Sequence, residues 1–273
     1  MRKRPLGQNF LVDPEITQKI IDLANIQPED NIVEIGPGKG VLTQRLISII
    51  RSLTVIELDP KLCREMENRF GKNSPTFRII EGDAARFDYS SIKSGFKVVS
   101  NLPYYAATHI MKKLIHFGSR IQTMTLMMQK EVVERLTAKP GSKEYSSLSV
   151  FVQYHCKVER LLEIPNTAFS PKPKIDSSLF SLEPLPQPKV QVEDPQLFFK
   201  IVNAALNSTL SRTLNTSLTT LLVMLAIFTF GGDSIRGFMF ALIIGVVVGT
   251  YSSLFVATPV MYDTSKRKEA SKK

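Results

Sequence analysis

Apolar residues in the first half of the chain come in short runs that alternate between two spacings. Asp13 and Pro14 form a helix start, a capping acid followed by a first-turn proline, and Ile16, Ile20, Leu23 and Ala24 give the next segment one apolar face. NIVEI then reads as a strand, glycines stand at 36, 38 and 40, and VLTQRLISII reads as a helix. SLTVIELD, TFRIIEGD, FKVVSNLPY and IQTMTLMM are further predicted strands, separated by the predicted helices PKLCREMENRF and ATHIMKKLIHF, and KEVVERLTA adds a helix after the last. Strand and helix alternating at this interval predict an α/β fold with a doubly wound parallel sheet. From Ser146 to Leu185 the pattern changes, with SLSVFVQYHCKVERLLEIP, the proline-rich loop NTAFSPKPKI and the strand DSSLFSLEPL, and the sheet is expected to finish there. QPKVQVEDP reads as a linker, and LFFKIVNAAL begins a helix.

The last part of the chain has a different pattern. Neither Thr213 to Gly232 nor Gly237 to Tyr262 contains a charged residue, and only GGDSIR separates the two main apolar runs. At about 1.5 Å per residue, about 20 helical residues cross a bilayer core of about 30 Å, so two transmembrane helices are expected. GVVVG, Gly245 to Gly249, offers a small-residue face for helix packing. The basic end, SKRKEASKK, predicts a cytosolic C-terminus by the positive-inside tendency. The predicted organisation is an α/β domain over 1–185, a linker and helix start over 186–205, two membrane helices over 206–262 and a basic tail over 263–273.

A hydrophobic content of 43% in 273 residues is enough for a sizeable core, and a net charge of +10 points to an anionic partner, either nucleic acid or acidic lipid. Cys63 and Cys156 have no cysteine or histidine neighbour at metal-ligand spacing, which indicates neither a disulfide framework nor a zinc site. MRKRPLGQNFLVDP is basic without an apolar core, so a secretory signal is not expected and the first part of the chain should stay in the cytosol.

Candidate chemistry gathers at the predicted strand ends. VEIGPGKG puts Glu34, Gly36, Gly38 and Gly40 in a turn between strand and helix, where missing side chains let a ligand touch the backbone. Such turns serve dinucleotides, S-adenosylmethionine or structure alone, and the spacing G-x-G-x-G departs from the dinucleotide pattern. Glu57, closing the second of these strands, is placed to accept both hydroxyls of a ribose, and Asp83, after the third, to receive an adenine amino group. Asn101, Leu102, Pro103 and Tyr104 follow the fourth, with no acid, cysteine or serine among them. The exocyclic amine of adenine is a weak nucleophile because its lone pair is delocalised into the ring. A site that methylates it must accept its hydrogen bonds and localise that pair. Asn101 offers a side-chain carbonyl, Leu102 a main-chain carbonyl held by Pro103, and Tyr104 a face for a base taken out of its stack.

GQNFLVD, EIGPGKGVLT, IELD, EGDA, NLPYY and AFSPKPKIDS together resemble the small-subunit (16S) ribosomal RNA adenine dimethyltransferases, the KsgA group, over residues 1 to about 205. The resemblance implies a Rossmann-like domain that binds S-adenosylmethionine through Asn9, Leu11, Gly36, Gly38, Glu57, Asp83 and Asn101. It also implies that the target adenine lies between Tyr104 and Phe169, and that two adjacent adenosines near the 3′ end of small-subunit ribosomal RNA are dimethylated by a monomer. Arg2, Lys3, Arg4, Lys172 and Lys174 would then meet phosphates. A large-subunit adenine methyltransferase of the macrolide-resistance type shares a similar motif, and a non-enzymatic RNA-binding chaperone of ribosome assembly is an alternative from another class. Residues 206–262 resemble the last two membrane helices of the SecD/SecF export subunits, which implies a chimera joined near 204–207 and attachment of the full chain to the inner membrane.

Overall fold

Asp13 opens the first helix as the sequence predicts: its Oδ1 accepts from the amides of Glu15 at 2.9 Å and Ile16 at 3.0 Å, with proline in the first turn. In the computed structural model, which describes residues 9–71, 76–188, 190–230 and 232–252, this helix is α1 (Pro14–Leu23) and follows a short strand β1 (Phe10–Leu11). Its buried face carries Thr17, Ile20 and Ile21, whereas Leu23 is exposed. The alternating elements follow as β2 (Asn31–Ile35), α2 (Val41–Ile47), β3 (Ser52–Glu57), α3 (Pro60–Phe70), β4 (Phe77–Glu81), β5 (Phe96–Asn101), α4 (Ala107–His116), β6 (Ile121–Gln129) and α5 (Lys130–Thr137). Then come α6 (Ser147–His155), β7 (Cys156–Ile164), β8 (Phe169–Ser170) and β9 (Ser177–Pro184).

Seven strands form one sheet in the order β4-β3-β2-β5-β6-β9-β7. The first five are mutually parallel. Their central strands are apolar because both faces are covered: Ile32, Val33, Ile35, Val55, Ile56, Val98, Val99, Leu126 and Met127 are all buried. The predicted doubly wound sheet is therefore present, and its two ends differ. β9 runs antiparallel to β6 and is inserted between β6 and β7, pairing with both. A second, two-stranded sheet joins β1 to β8, with Phe10 opposite Ser170 and Leu11 opposite Phe169; the Val12 amide extends it to the Ala168 carbonyl at 2.9 Å.

By spatial grouping the chain divides into two compact units, residues 1–137 with 151–191, and residues 138–150 with 192–273. The second unit contains α7 (Pro195–Phe230) and α8 (Asp233–Ser252), with Phe228 and Phe240 in ring contact at 6.3 Å. The two predicted transmembrane helices are not supported: among the described residues no helix is long and apolar enough to cross a membrane. In α7, Asn215, Thr216, Ser217, Thr219 and Thr220 interrupt the apolar run, leaving Leu221 to Phe230, roughly 15 Å of helix. The described uncharged part of α8, Gly237 to Ser252, is roughly 24 Å long. A Cβ built on Gly245 or Gly249 meets nothing within 4 Å, so the predicted small-residue face makes no close helix contact among the described residues. Residues 253–262 of the second apolar run, the basic tail 263–273, and Arg2, Lys3 and Arg4 lie outside the described residues.

Candidate active site

Parallel strands deliver their C-terminal ends to one edge of the sheet, and the register sets those ends level: Glu57 lies opposite Glu81, and Asn101 opposite Met127. Strand order reverses between β2 and β5, which leaves a crevice between their carboxyl ends. The cleft there is lined by Asn9, Phe10 and Leu11 from the start of the chain, the turn after β2, Glu57 and Leu58 after β3, Asp83 and Ala84 after β4, and Asn101 to Ala106 after β5. Of the residues that the resemblance implies for a cofactor, the cleft brings together Asn9, Leu11, Gly36, Gly38, Glu57, Asp83 and Asn101.

The glycine turn has to be glycine for two reasons. Gly36 and Gly38 have φ of +62° and +58°, in the left-handed region that side chains avoid. At Gly38 a Cβ would also come within 2.7 Å of Phe10 Cδ1, too close without a shift, whereas one on Gly36 would sit in ordinary contact, 3.5 Å from Pro103 Cδ. The aromatic of β1 and the proline of the NLPY loop thus pack directly on the turn. Lys39 Nζ lies 5.2 Å from the Phe10 ring centroid, adding a cation–π contact to that wall.

Each acid in the cleft is held differently. Glu57 is 4% exposed, and its Oε1 accepts from the amides of Leu58 at 2.8 Å and Asp59 at 2.9 Å. Burial pushes its carboxyl above the usual range, and backbone bonds from Asp59, Leu58 and Gly38 oppose the shift. Asp83 accepts from the Ala85 amide at 2.9 Å, so it shapes the turn after β4 while facing the cleft. Glu34 is the most deeply buried of the three at 1% exposure, with Oε2 accepting from Thr43 Oγ1 at 2.6 Å. Burial pushes its carboxyl up to about 8, so it is mainly protonated at neutral pH.

On the other wall, Asn101 closes β5, and Leu102 is buried with its amide donating to the Met127 carbonyl at 3.2 Å. Pro103 accepts from the Ala106 amide at 3.0 Å, which closes the turn before α4. Among the described residues neither the Asn101 side chain nor the Leu102 carbonyl has a hydrogen-bond partner. Tyr104 is half-buried, with its hydroxyl 2.6 Å from Ser177 Oγ. Phe169 is placed differently from the expectation: it is 3% exposed, lies among the core residues around Leu11, and does not line the cleft. Its ring supports β1 through the β1–β8 pair and offers no open face to a base.

Sequence reasoning overlooked Phe10, Leu58 and Tyr105 as cleft residues. Leu58 carried a usable signal, an apolar residue between two acids at a strand end, and it is 43% exposed. Burial pushes the Cys63 thiol up to about 11 and the Cys156 thiol up to about 12, so neither is a thiolate nucleophile at neutral pH. No group of acids, histidines and cysteines that could hold a metal ion occurs among the described residues.

Comparison with known proteins narrows what this cleft serves. The family model for ribosomal RNA adenine dimethylases matches residues 1–230. That match runs past 204–207, so a change of family there, and with it the export-subunit resemblance of residues 206–262, is unsupported. Ribosomal RNA small subunit methyltransferase A of Clostridium acetobutylicum is 41% identical over 205 residues, 74% of this chain and 74% of that protein. Its namesake from Psychrobacter cryohalolentis is 42% identical over 211 residues, 76% of this chain and 73% of that protein. A dimethyladenosine transferase structure from Plasmodium falciparum is 31% identical, with a TM-score of 0.59 over 64% of this chain and 63% of that one. The structure of the 23S rRNA methyltransferase ErmE, 24% identical with a TM-score of 0.62 over 73% of this chain and 79% of that one, shares the fold. Sheet order, glycine turn and sequence likeness over most of its length agree, and on them the chain belongs to the ribosomal RNA adenine dimethylase family.

Proposed function

We propose that the protein dimethylates the 6-amino group of two adjacent adenosines near the 3′ end of small-subunit ribosomal RNA, using S-adenosylmethionine. The observation that carries this reading is the meeting, in one cleft, of a side-chain-free turn with Glu57, Asp83 and the two acceptors at Asn101 and Leu102. A ligand with a ribose, an amine-bearing base and a close backbone approach fits that set. When bound, S-adenosylmethionine supplies an electrophilic methyl group. Glu57 holds the ribose hydroxyls, Asp83 the adenine amine of the cofactor, and the Gly36 and Gly38 backbone the remainder. Asn101 and the Leu102 carbonyl accept the hydrogen bonds of the target amine, and Tyr104 lies under its ring. Positioning of this kind lowers the barrier by about 7 to 11 kcal/mol when the reacting atoms are aligned. Lys172 and Lys174, both exposed, are suited to RNA phosphates.

The test is to incubate the full chain with unmethylated small-subunit particles and with large-subunit RNA, then map products by primer extension and mass spectrometry. Dimethyladenosine at adjacent positions of the small-subunit RNA supports the reading, and modification of large-subunit RNA alone overturns it. A related expectation concerns the ribose. Glu57→Ala should weaken S-adenosylmethionine binding by about 1.5 to 3 kcal/mol, the range for hydrogen bonds to a charged group. Titration calorimetry showing unchanged affinity would remove Glu57 from that role.

A further inference from the structure

The hydroxyl pair between Tyr104 and Ser177 joins parts of the chain that the catalytic motif does not contain. Ser177 is the first residue of β9, has no exposed surface, and is fixed by ladders on both sides, opposite Gln129 of β6 and Ile164 of β7. Tyr104 stands just beyond β5, so its hydroxyl reaches over the end of β6 to meet Ser177 Oγ at 2.6 Å. A ring held only at Cβ can swing about two torsions. A hydrogen bond at its far end, to an atom anchored within a sheet, removes that freedom. Burial raises the Tyr104 phenol, which keeps its proton available to the pair.

We propose that Ser177 is a positioning residue that locks the Tyr104 ring and that this lock governs the second methyl transfer more than the first. The inference rests on the reading of Tyr104 as the platform for the target base. An unmodified adenine amine has two N–H groups, one for Asn101 and one for the Leu102 carbonyl. In the second transfer the nitrogen of the monomethylated amine forms a bond to a new methyl carbon. The S–CH3 bond breaks with its pair remaining on the sulfur of the spent donor, and the last N–H proton leaves to water. Before that step only one N–H remains, so one of the two acceptors has lost its partner. Orientation of the base then depends more on the aromatic face beneath it, and on whatever fixes that face.

Tyr104→Phe and Ser177→Ala, singly and together, test the lock in the full chain with unmethylated small-subunit particles. Rates of the first and second transfers are read from the time course of monomethyl and dimethyl product. Each single variant is expected to slow the second transfer about 3- to 10-fold, the effect of one net hydrogen bond, with a smaller change in the first. The double variant should be no worse than either single one, because all three lack the same bond. Ser177→Thr, which keeps the hydroxyl, should restore the wild-type product ratio. Equal slowing of both transfers, or multiplied effects in the double variant, would overturn the lock. Tyr104→Phe changes one atom at the far end of a half-buried ring, so it decides the matter even if Ser177→Ala fails to fold. Unchanged turnover in Tyr104→Ala would instead overturn the platform reading, and the lock with it, whereas a loss in Tyr104→Ala beside a wild-type product ratio in Ser177→Ala would overturn the lock alone.

Discussion

Asn101→Ala is expected to slow methyl transfer by about 10²- to 10³-fold, the usual cost of removing one polar group aimed at the charge that develops in a transition state. Asn101 is the last residue of β5, held opposite Met127, and its side chain faces the cleft without an internal partner. The fold does not need its amide, so the variant should melt near the wild-type temperature. With the acceptor gone, the amine lone pair stays delocalised in the ring and is a poor nucleophile. Asn101→Asp keeps an acceptor oxygen and should retain more turnover than Asn101→Ala. Single-turnover rates on unmethylated particles check this order, and an alanine variant with more than about a tenth of wild-type activity would contradict the assignment.

Glu34→Gln is expected to change how stability depends on pH. The Glu34 carboxyl has an ordinary value of 4.5, as in the unfolded chain, and is pushed up to about 8 in the folded protein by burial. Between those values the folded protein keeps a proton that the unfolded chain has released, so raising the pH favours unfolding. The contribution is fully present below about 4.5 and is lost as pH rises through about 8, at about 1.4 kcal/mol per unit or roughly 5 kcal/mol in all. Glutamine does not titrate, and its amide oxygen can still accept from Thr43. The stability of the wild type relative to Glu34→Gln should therefore fall steadily from pH 5 to pH 8. Urea unfolding of both proteins at several pH values measures that difference, and a flat line would show that Glu34 is ionised in the fold.

The parallel part of the sheet was legible because its strands are buried on both faces. NIVEI, TVIE and KVVS are apolar runs between glycine or polar punctuation, and such runs announce a covered strand in any register. The cleft residues at their ends were legible for the same reason, since a strand end fixes the position of whatever follows it. Strand order is not written in local spacing, so the insertion of β9 between β6 and β7 could not be read. The meeting of Tyr104 with Ser177, or of Phe10 with Gly38, depends on that order and was equally hidden. The family resemblance implied that Phe169 lies against the target base, yet pairing with Leu11 takes it into the core. In the last part, charge-free length suggested membrane spans, while threonine, serine and asparagine within α7 shorten its continuous apolar surface.

The two-residue pairing of β1 with β8 makes completion of the cleft a matter of timing during synthesis. Phe10 covers the glycine turn from one side, and its strand pairs with Ser170 and Phe169, with the Val12 amide reaching the Ala168 carbonyl. A nascent chain emerging at about 5 to 20 residues per second will have released the glycine turn, the NLPY loop and most of the parallel sheet several seconds before that partner is available. Closing so long a loop also costs entropy that only the finished sheet can offset. The wall formed by Asn9, Phe10 and Leu11 therefore gains its partner strand only after the glycine turn, Glu57, Asp83 and the NLPY loop have been made, and chains that stop short of Phe169 carry those motifs without the strand that pairs with β1.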